Sequence, residues 1–193
     1  VVSRKEEVIE TADGLISIGG GKLTTYRLMA EQGIDLALKR LGSSGGENRT
    51  TEVPISGGQM SRVELEMTAK QIAQHYELPI EVTRHLVFTY GSNFDRLVRL
   101  MLNDEQLRQR LVDRLPHVKA EVVYAVRHEM AVTLSDVLMR RTRLAMLAGE
   151  ASLDCAAAAA ELMATELGWS EAEKARQIEA FAAEFEREYQ AAG

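Results

Sequence analysis

The amino-acid sequence predicts a mainly α-helical protein, in which a compact all-helical domain over residues 59–193 follows a short β–β–α segment over residues 1–58. Alanine, leucine and glutamate dominate much of the chain and favour helix, and only 3 prolines interrupt it. Apolar residues recur at helical spacing through the second part. A Gly/Ser/Asn-rich stretch over 42–50 marks the linker region between the two parts.

The first part opens with a pattern typical of a β-hairpin. Extended segments over 8–12 and 15–18 flank the dipeptide Asp13-Gly14, which favours a tight turn. A further short strand is predicted over 52–55.

One helix is predicted in the first part. We expect it to begin near Thr24 or Thr25 and to run to about residue 41, because Gly42 is a residue type that commonly ends helices. Its predicted apolar face consists of Leu28, Ile34, Leu38 and Leu41.

The second part is predicted to be helical from Ser61 onwards. Pro79 suits the first turn of a helix, Ser135-Asp136 can cap another, and Ser170 with Glu173 forms a capping box. The remaining predicted helices lie over about 61–76, 79–91, 95–102, 105–114, 119–130 and 152–167. The last helix is expected to bury Ile178, Phe181, Phe185 and Tyr189.

Charge and cysteine content exclude several classes of protein. The net charge is −6, and the ten acidic residues from Glu150 onwards give no basic footprint for nucleic acid. A single cysteine, Cys155, rules out an internal disulfide and fits a reducing compartment. No apolar run reaches the roughly 18 residues of a membrane span, and no signal peptide is visible. These features predict a cytoplasmic protein.

Residues 19–27 read Gly-Gly-Gly-Lys-Leu-Thr-Thr-Tyr-Arg and carry the clearest chemical signal in the sequence. The glycines let the backbone approach a flat ligand, and Lys22 adds a cation at the positive end of a helix. Together these would stabilise negative charge on a ring, such as the N1–C2=O edge of a reduced flavin. The alternative is a plain glycine-rich turn with a solvated lysine.

This turn matches neither standard phosphate-binding loop. A Walker A loop needs glycine where Ile16 stands and Ser or Thr where Leu23 stands, and the dinucleotide pattern needs spaced glycines. A strand–turn–helix of this kind belongs to an α/β domain, yet it lies almost at the start of the sequence, which begins with Val1. We therefore expect the chain to be the C-terminal part of a larger enzyme.

Three stretches of the sequence, which follow one another along the chain, together carry a family resemblance. They are Gly-Gly-Lys-Leu-Thr-Thr-Tyr-Arg over 20–27, Arg84-His85-Leu86 to Tyr90-Gly91-Ser92, and Glu129-Met130 to Asp136-Val137-Leu138 with Arg140-Arg141-Thr142. Together they resemble FAD-dependent glycerol-3-phosphate dehydrogenases and the related glycerophosphate oxidases. The resemblance spans most of the chain.

The resemblance implies a cofactor site and a reaction. Gly20, Gly21, Lys22, Leu23 and Thr24 would lie at the isoalloxazine of FAD, with Lys22 as the catalytic candidate. The parent flavoenzyme would oxidise glycerol 3-phosphate at C2 to dihydroxyacetone phosphate, passing hydride to flavin N5 and electrons to a quinone. Residues 1–58 would then be the C-terminal edge and linker of the FAD-binding α/β domain.

The same resemblance implies partners and a location. The N-terminal FAD domain of the same polypeptide would be the main partner, and the isolated fragment, without FAD, would be inactive. The helical domain would pack, dimerise or dock beside the flavin domain. Enzymes of this class are often peripheral on the inner face of the cytoplasmic membrane.

The other candidate residues are interpreted as structural. His128-Glu129 begins like a zinc-protease motif, but position 132 is Val, and the four histidines show no ligand spacing, so no metal site is predicted. Cys155 is expected to be buried and inert.

Arg140, Arg141 and Arg143 are expected to form a network with Glu129 and Asp136, or an interdomain clamp. The alternatives are contact with anionic lipid headgroups or with the flavin domain of the parent enzyme.

Two other functions stay open on the sequence. One is a stand-alone helical interaction or dimerisation module with no redox role, in which the glycine turn is only a connector. The other is an oxidase that uses oxygen and yields hydrogen peroxide.

Overall fold

A computed structural model describes residues 6–190 of the chain. The chain divides into two compact units, one ending at Ile55 and the other beginning at Ser56. The mainly helical fold class predicted from the sequence is confirmed. Among the described residues, no helix combines the length and apolar character needed to cross a lipid bilayer.

The first unit contains the predicted β–β–α segment. Strands β1 (Glu7–Glu10) and β2 (Ile16–Gly19) pair antiparallel, with Val8 opposite Ile18. A short 3₁₀ turn, Leu23–Thr25, leads into helix α1 (Tyr26–Arg40). The predicted hairpin and helix are therefore both confirmed.

Helix α1 packs on the hairpin through a glycine. Gly33 is buried, and a Cβ at this position would overlap the Ile18 side chain, so the helix can approach the strands closely only here. Arg40 pairs with Glu10 of β1 at the other end of the helix.

One prediction for the first unit is wrong, and its predicted apolar face is largely exposed. On that face of α1, Leu28, Ile34 and Leu41 are 45%, 60% and 79% exposed. Two four-residue strands offer too little surface to cover it. Residues 52–55 adopt turn and irregular conformations rather than a strand, and Pro54 lacks the N–H that strand pairing would need.

The second unit is built from helices that follow the predicted order. Their bounds are α2 (Arg62–His75), α3 (Ile80–Tyr90), α4 (Phe94–Asn103), α5 (Ala120–Glu129), α6 (Leu144–Ala148), α7 (Ala151–Asp154), α8 (Ala156–Leu167) and α9 (Glu171–Phe185). Ser170 caps α9 as predicted, since its hydroxyl accepts the Glu173 N–H. The second half of the predicted capping box is wrong, because the Glu173 carboxylate accepts from Arg176 and Gln177 instead.

Helix α5 lies between two apolar clusters and contributes to both. Val123 and Tyr124 pack in a cluster formed with α2, α3 and α4. Val122 and Ala125 pack in a second cluster formed with α6 to α9. Residues 120–125 of α5 are all buried, and Glu121 is the one acidic residue among them.

Three helix predictions in the second unit need correction. The helix over 105–114 ends as a 3₁₀ turn at Arg108, and Arg110 then bridges to Val118 as extended chain. Residues 152–167 are interrupted at Cys155. Tyr189 is 41% exposed, because the chain beyond Phe185 continues as a π-helical turn rather than as α-helix.

The predicted cap at Ser135-Asp136 is also wrong. Thr133 occupies the capping position, since its hydroxyl accepts the Asp136 N–H while the Asp136 carboxylate accepts the N–H groups of Val132 and Thr133. The segment that follows, Asp136–Arg141, is a π-helix.

Gly91 is expected to be the most sensitive glycine of the second unit. Gly91 and Gly149 share nearly the same backbone, with φ of 52° and 60° and ψ of −135° at both. A Cβ at Gly91 would overlap the Gly57 carbonyl, whereas nothing lies within 4 Å at Gly149.

The matched substitutions Gly91→Ala and Gly149→Ala separate the cost of backbone strain from the cost of steric overlap with Gly57. Both carry backbone strain of about 1–3 kcal/mol. Gly91→Ala alone adds a steric cost, which we expect to be about 1–3 kcal/mol. Urea unfolding of the 193-residue chain measures both, and an equal loss of stability would show that the Gly57 contact does not constrain the fold.

Candidate functional site

The glycine turn predicted to carry the chemistry reverses the chain directly after β2. Gly20 and Gly21 have φ of 73° and 78°, a left-handed conformation that other residue types rarely adopt. A Cβ at Gly21 would also overlap the Met29 sulfur. Both glycines are therefore required by the backbone itself, whatever the turn binds.

Thr25 holds the turn against the start of helix α1. Its hydroxyl accepts the Lys22 backbone N–H at 3.1 Å and lies 3.0 Å from the Lys22 carbonyl oxygen. The Thr25 N–H donates to the same carbonyl at 2.9 Å. Of the two threonines predicted as caps, Thr25 is the one that makes these contacts.

The residues between the glycines and the helix project into solvent. Lys22 and Thr24 are exposed, and Leu23 is 90% exposed. An exposed cation and an exposed apolar side chain at a helix N-terminus form a surface that suits a flat, partly anionic ring. The structure thus brings the five predicted residues, Gly20 to Thr24, together in one short turn.

Arg27 lies beside this surface but points along its own helix. Its guanidinium stacks 5.7 Å from the centre of the Tyr26 ring, and its Nε donates to the Tyr26 hydroxyl at 3.1 Å. Tyr26 is itself 58% exposed.

A second polar cluster lies in the helical unit around the buried carboxylate of Glu121. Its Oε1 accepts from the Tyr90 hydroxyl at 2.9 Å and lies 2.8 Å from His85 Nε2. Its Oε2 accepts the Val118 N–H at 2.7 Å. Glu121 has no exposed surface, so these donors replace the water that an ionised carboxylate would otherwise need.

His117 completes this cluster. Its ring centre lies 4.2 Å from that of His85, and the side chain is 4% exposed. Burial lowers the pKa of His117, against an opposing effect of the Glu121 carboxylate. Its Nδ1 is buried without a hydrogen-bond partner among the residues that the structure describes.

Burial and the adjacent Glu121 carboxylate raise the pKa of Tyr90 well above its usual range. Tyr90 is therefore a neutral hydrogen-bond donor at neutral pH.

The arginines of the third motif are held by acidic partners, as predicted for Arg140 and Arg141. Arg140 lies 3.5 Å from Asp136 and 2.8 Å from Glu184. Arg141 donates to the Glu129 carbonyl at 3.0 and 2.7 Å. These contacts tie the π-helix of Asp136–Arg141 to its neighbours.

Arg143 differs from the other two arginines. It is exposed and adopts a left-handed backbone conformation with φ of 57°.

Cys155 is buried, which confirms the prediction from the sequence. Burial raises the pKa of its thiol to about 11. The thiol is therefore protonated and unreactive at neutral pH.

A family model described as the C-terminal domain of alpha-glycerophosphate oxidase matches residues 48–174. The chain belongs to this family. The resemblance read from the three motifs is thereby confirmed.

The chain is also similar to glycerol-3-phosphate dehydrogenases of known sequence. It is 36% identical over 182 residues to the mitochondrial enzyme of Mus musculus, covering 92% of this chain and 24% of that protein. It is 31% identical over 169 residues to the glycerol-3-phosphate dehydrogenase of Synechocystis, covering 88% of this chain and 30% of that protein. The chain thus spans about a quarter to a third of the length of these relatives.

A solved structure matches both in fold and in sequence. The glycerol-3-phosphate dehydrogenase from Bacillus halodurans, complexed with FAD, superposes with a TM-score of 0.70 at 27% identity. The match covers 93% of this chain and 37% of that chain.

Sequence reasoning missed the Glu121 cluster. His85 and Tyr90 stood in a quoted motif, but the motif alone did not say what they contact. A usable signal was present, because Glu121 is a single acidic residue between Ala120 and Val122 in an otherwise apolar run. Such a residue is either exposed or held by buried donors.

Tyr90→Phe tests whether the Glu121 cluster stabilises the helical unit. The substitution removes one hydrogen bond to a buried charge, so we expect a loss of about 1.5–3 kcal/mol in the free energy of unfolding. Tyr124→Phe is the matched control, since Tyr124 is also buried, packs against the Tyr90 ring at 4.9 Å and is not among the donors to Glu121. Equal effects of the two substitutions in urea unfolding would contradict the assigned role.

Proposed function

We propose that this chain is the C-terminal part of an FAD-dependent enzyme that oxidises glycerol 3-phosphate to dihydroxyacetone phosphate. The observation that carries the proposal is the similarity to glycerol-3-phosphate dehydrogenases over nine-tenths of the chain, at 36% identity to the mouse mitochondrial enzyme. The FAD-complexed structural relative, with a TM-score of 0.70, supports the same assignment.

The remaining part of the catalytic machinery is assigned to an N-terminal FAD domain of the same polypeptide. This assignment follows from the share of the relatives that the chain covers, 24% for the mouse enzyme. Most of the surface that holds the cofactor and glycerol 3-phosphate would lie in the part not covered. The isolated 193-residue chain is therefore expected to bind no FAD and to be inactive.

The glycine turn is proposed to meet the isoalloxazine ring. Gly20 and Gly21 present backbone without side chains, and Leu23 offers an exposed apolar surface to a flat ring. Lys22 would stand beside the N1–C2=O edge, where its charge adds to the positive end of α1. Gly20, Gly21, Lys22, Leu23 and Thr24 are thus the proposed cofactor contacts.

Bound FAD would supply the hydride acceptor for the C2 hydrogen of glycerol 3-phosphate. The role proposed for this chain is to stabilise charge, since the ring gains negative charge as it is reduced and Lys22 would offset that charge. The base that takes the hydroxyl proton of the substrate is not among the residues assigned here.

A quinone is proposed as the electron acceptor, in line with a dehydrogenase and with a peripheral position at the inner face of the cytoplasmic membrane. The family description, which names an oxidase, supports oxygen as the second candidate. The two acceptors lead to different products, because only the oxidase forms one hydrogen peroxide for each dihydroxyacetone phosphate. A homodimer formed through the helical unit stays a prediction.

Lys22→Ala in the complete flavoenzyme tests the proposed site. We expect bound flavin to be retained and its anaerobic reduction by glycerol 3-phosphate to slow by on the order of 10²-fold or more, as on loss of an oxyanion-type donor. Stopped-flow absorbance of the flavin gives both quantities.

Lys39→Ala is the matched control, because Lys39 is an exposed lysine in the last turn of the same helix. It should leave flavin content and reduction rate unchanged. If Lys22→Ala behaves like Lys39→Ala, the turn is only a connector, as it would be in a stand-alone helical interaction module.

A further inference from the structure

The cluster around Glu121 brings three metal-ligand residue types together in the helical unit. One ring nitrogen each of His85 and His117 and a carboxylate oxygen of Glu121 all lie within 4.8 Å of one another. His85 comes from α3, whereas His117 and Glu121 flank the start of α5. His117 and Glu121 are four residues apart, but His85 comes from a separate segment, so the full set of three cannot be recognised from the sequence.

The second observation is the unpartnered Nδ1 of His117. The ring is 4% exposed, and its Nδ1 has no hydrogen-bond partner among the residues that the structure describes. A buried imidazole nitrogen without a partner is uncommon in folded proteins. A metal ion would satisfy this lone pair.

We propose that His85, His117 and Glu121 form a binding site for a divalent transition-metal ion, with Zn²⁺ as the favoured ion. Two imidazoles and one carboxylate are a donor set that zinc takes in proteins, with water as the fourth ligand. Mg²⁺ and Ca²⁺ prefer oxygen ligands and do not suit two imidazoles.

The surroundings of the three residues resemble those of a supported metal site. Ligating histidines generally hold a partner on the second ring nitrogen, which fixes the ring. His85 Nδ1 lies 3.4 Å from the Thr89 hydroxyl, which can hold that ring in place. The Glu121 carboxylate is oriented by the Val118 N–H and the Tyr90 hydroxyl.

Metal binding requires only a small local rearrangement. Tetrahedral zinc with ligands at about 2.1 Å holds them about 3.4 Å apart, so side-chain rotation must draw the most distant pair together. The ion takes the position between His85 Nε2 and the Glu121 carboxylate, so that His85 binds it as a neutral imidazole with its hydrogen on Nδ1. The His85 side chain is 14% exposed and gives the ion its approach from solvent.

Titration of the tag-free, chelator-stripped 193-residue chain with Co²⁺ and Zn²⁺ tests the proposal. We expect one Co²⁺ per chain, with the intense visible bands of tetrahedral coordination, and displacement of Co²⁺ by one equivalent of Zn²⁺. Competition with a chromophoric chelator gives the zinc affinity. Binding without these bands, or no stoichiometric binding, would overturn the proposal.

Glutamine substitutions identify the ligands while preserving hydrogen bonds. His85→Gln keeps an N–H donor near Glu121, and His117→Gln keeps a polar side chain of similar length, but neither amide replaces an imidazole ligand. Each should weaken zinc binding by about 10²-fold or more. Far-ultraviolet circular dichroism checks that each variant folds. If one variant does not fold, the zinc affinity of the other variant alone tests the proposal.

The two remaining histidines provide the controls. His75→Gln and His128→Gln alter exposed residues that are not part of the group formed by His85, His117 and Glu121. Zinc affinity should be unchanged in both. Equal loss in the controls, or no loss in His85→Gln and His117→Gln, would mean that the ion binds elsewhere and would overturn the assignment.

Discussion

The Glu121 carboxylate is held without exposed surface by donors from two separate segments of the helical unit. Tyr90 and His85 reach it from α3, and Val118 reaches it from the chain just before α5. Helix α5, which carries Glu121, contributes side chains to both apolar clusters of the unit. Because a buried carboxylate without partners is strongly unfavourable, this contact fixes how α3 meets α5, and the two clusters form on either side of that arrangement.

The first unit has a different physical character. Its hairpin and single helix bury little, and large apolar side chains such as Leu23, Ile34 and Leu41 remain in solvent. Exposed apolar surface of this extent generally marks a surface that another domain or ligand covers. The turn at Gly20 and Gly21 is nevertheless well defined by its left-handed glycines and by the Thr25 hydroxyl. A local turn can thus be specified fully even where the surrounding elements bury little apolar surface.

Local signals predicted much of this structure, and long-range contacts account for most of what they missed. The Asp13-Gly14 hairpin and the Ser170 cap depend on residues close in sequence, and both are present. The helix expected over 105–114 failed because extended chain from Arg110 pairs with Val118 instead, a contact that no periodicity shows. The Glu121 cluster joins residues 31 and 36 positions apart, and could not be predicted for the same reason. The glycine turn was found because its whole chemistry lies within nine residues of sequence, over 19–27.

The most direct test of the proposed cofactor site is a structure of the complete flavoenzyme with FAD bound. The distance to measure joins Lys22 Nζ to the flavin C2 carbonyl oxygen. We predict a hydrogen bond of about 2.7–3.2 Å, with Gly20 and Gly21 facing the ring. A bound flavin with Lys22 turned into solvent, and with the glycine turn away from the isoalloxazine, would contradict the account.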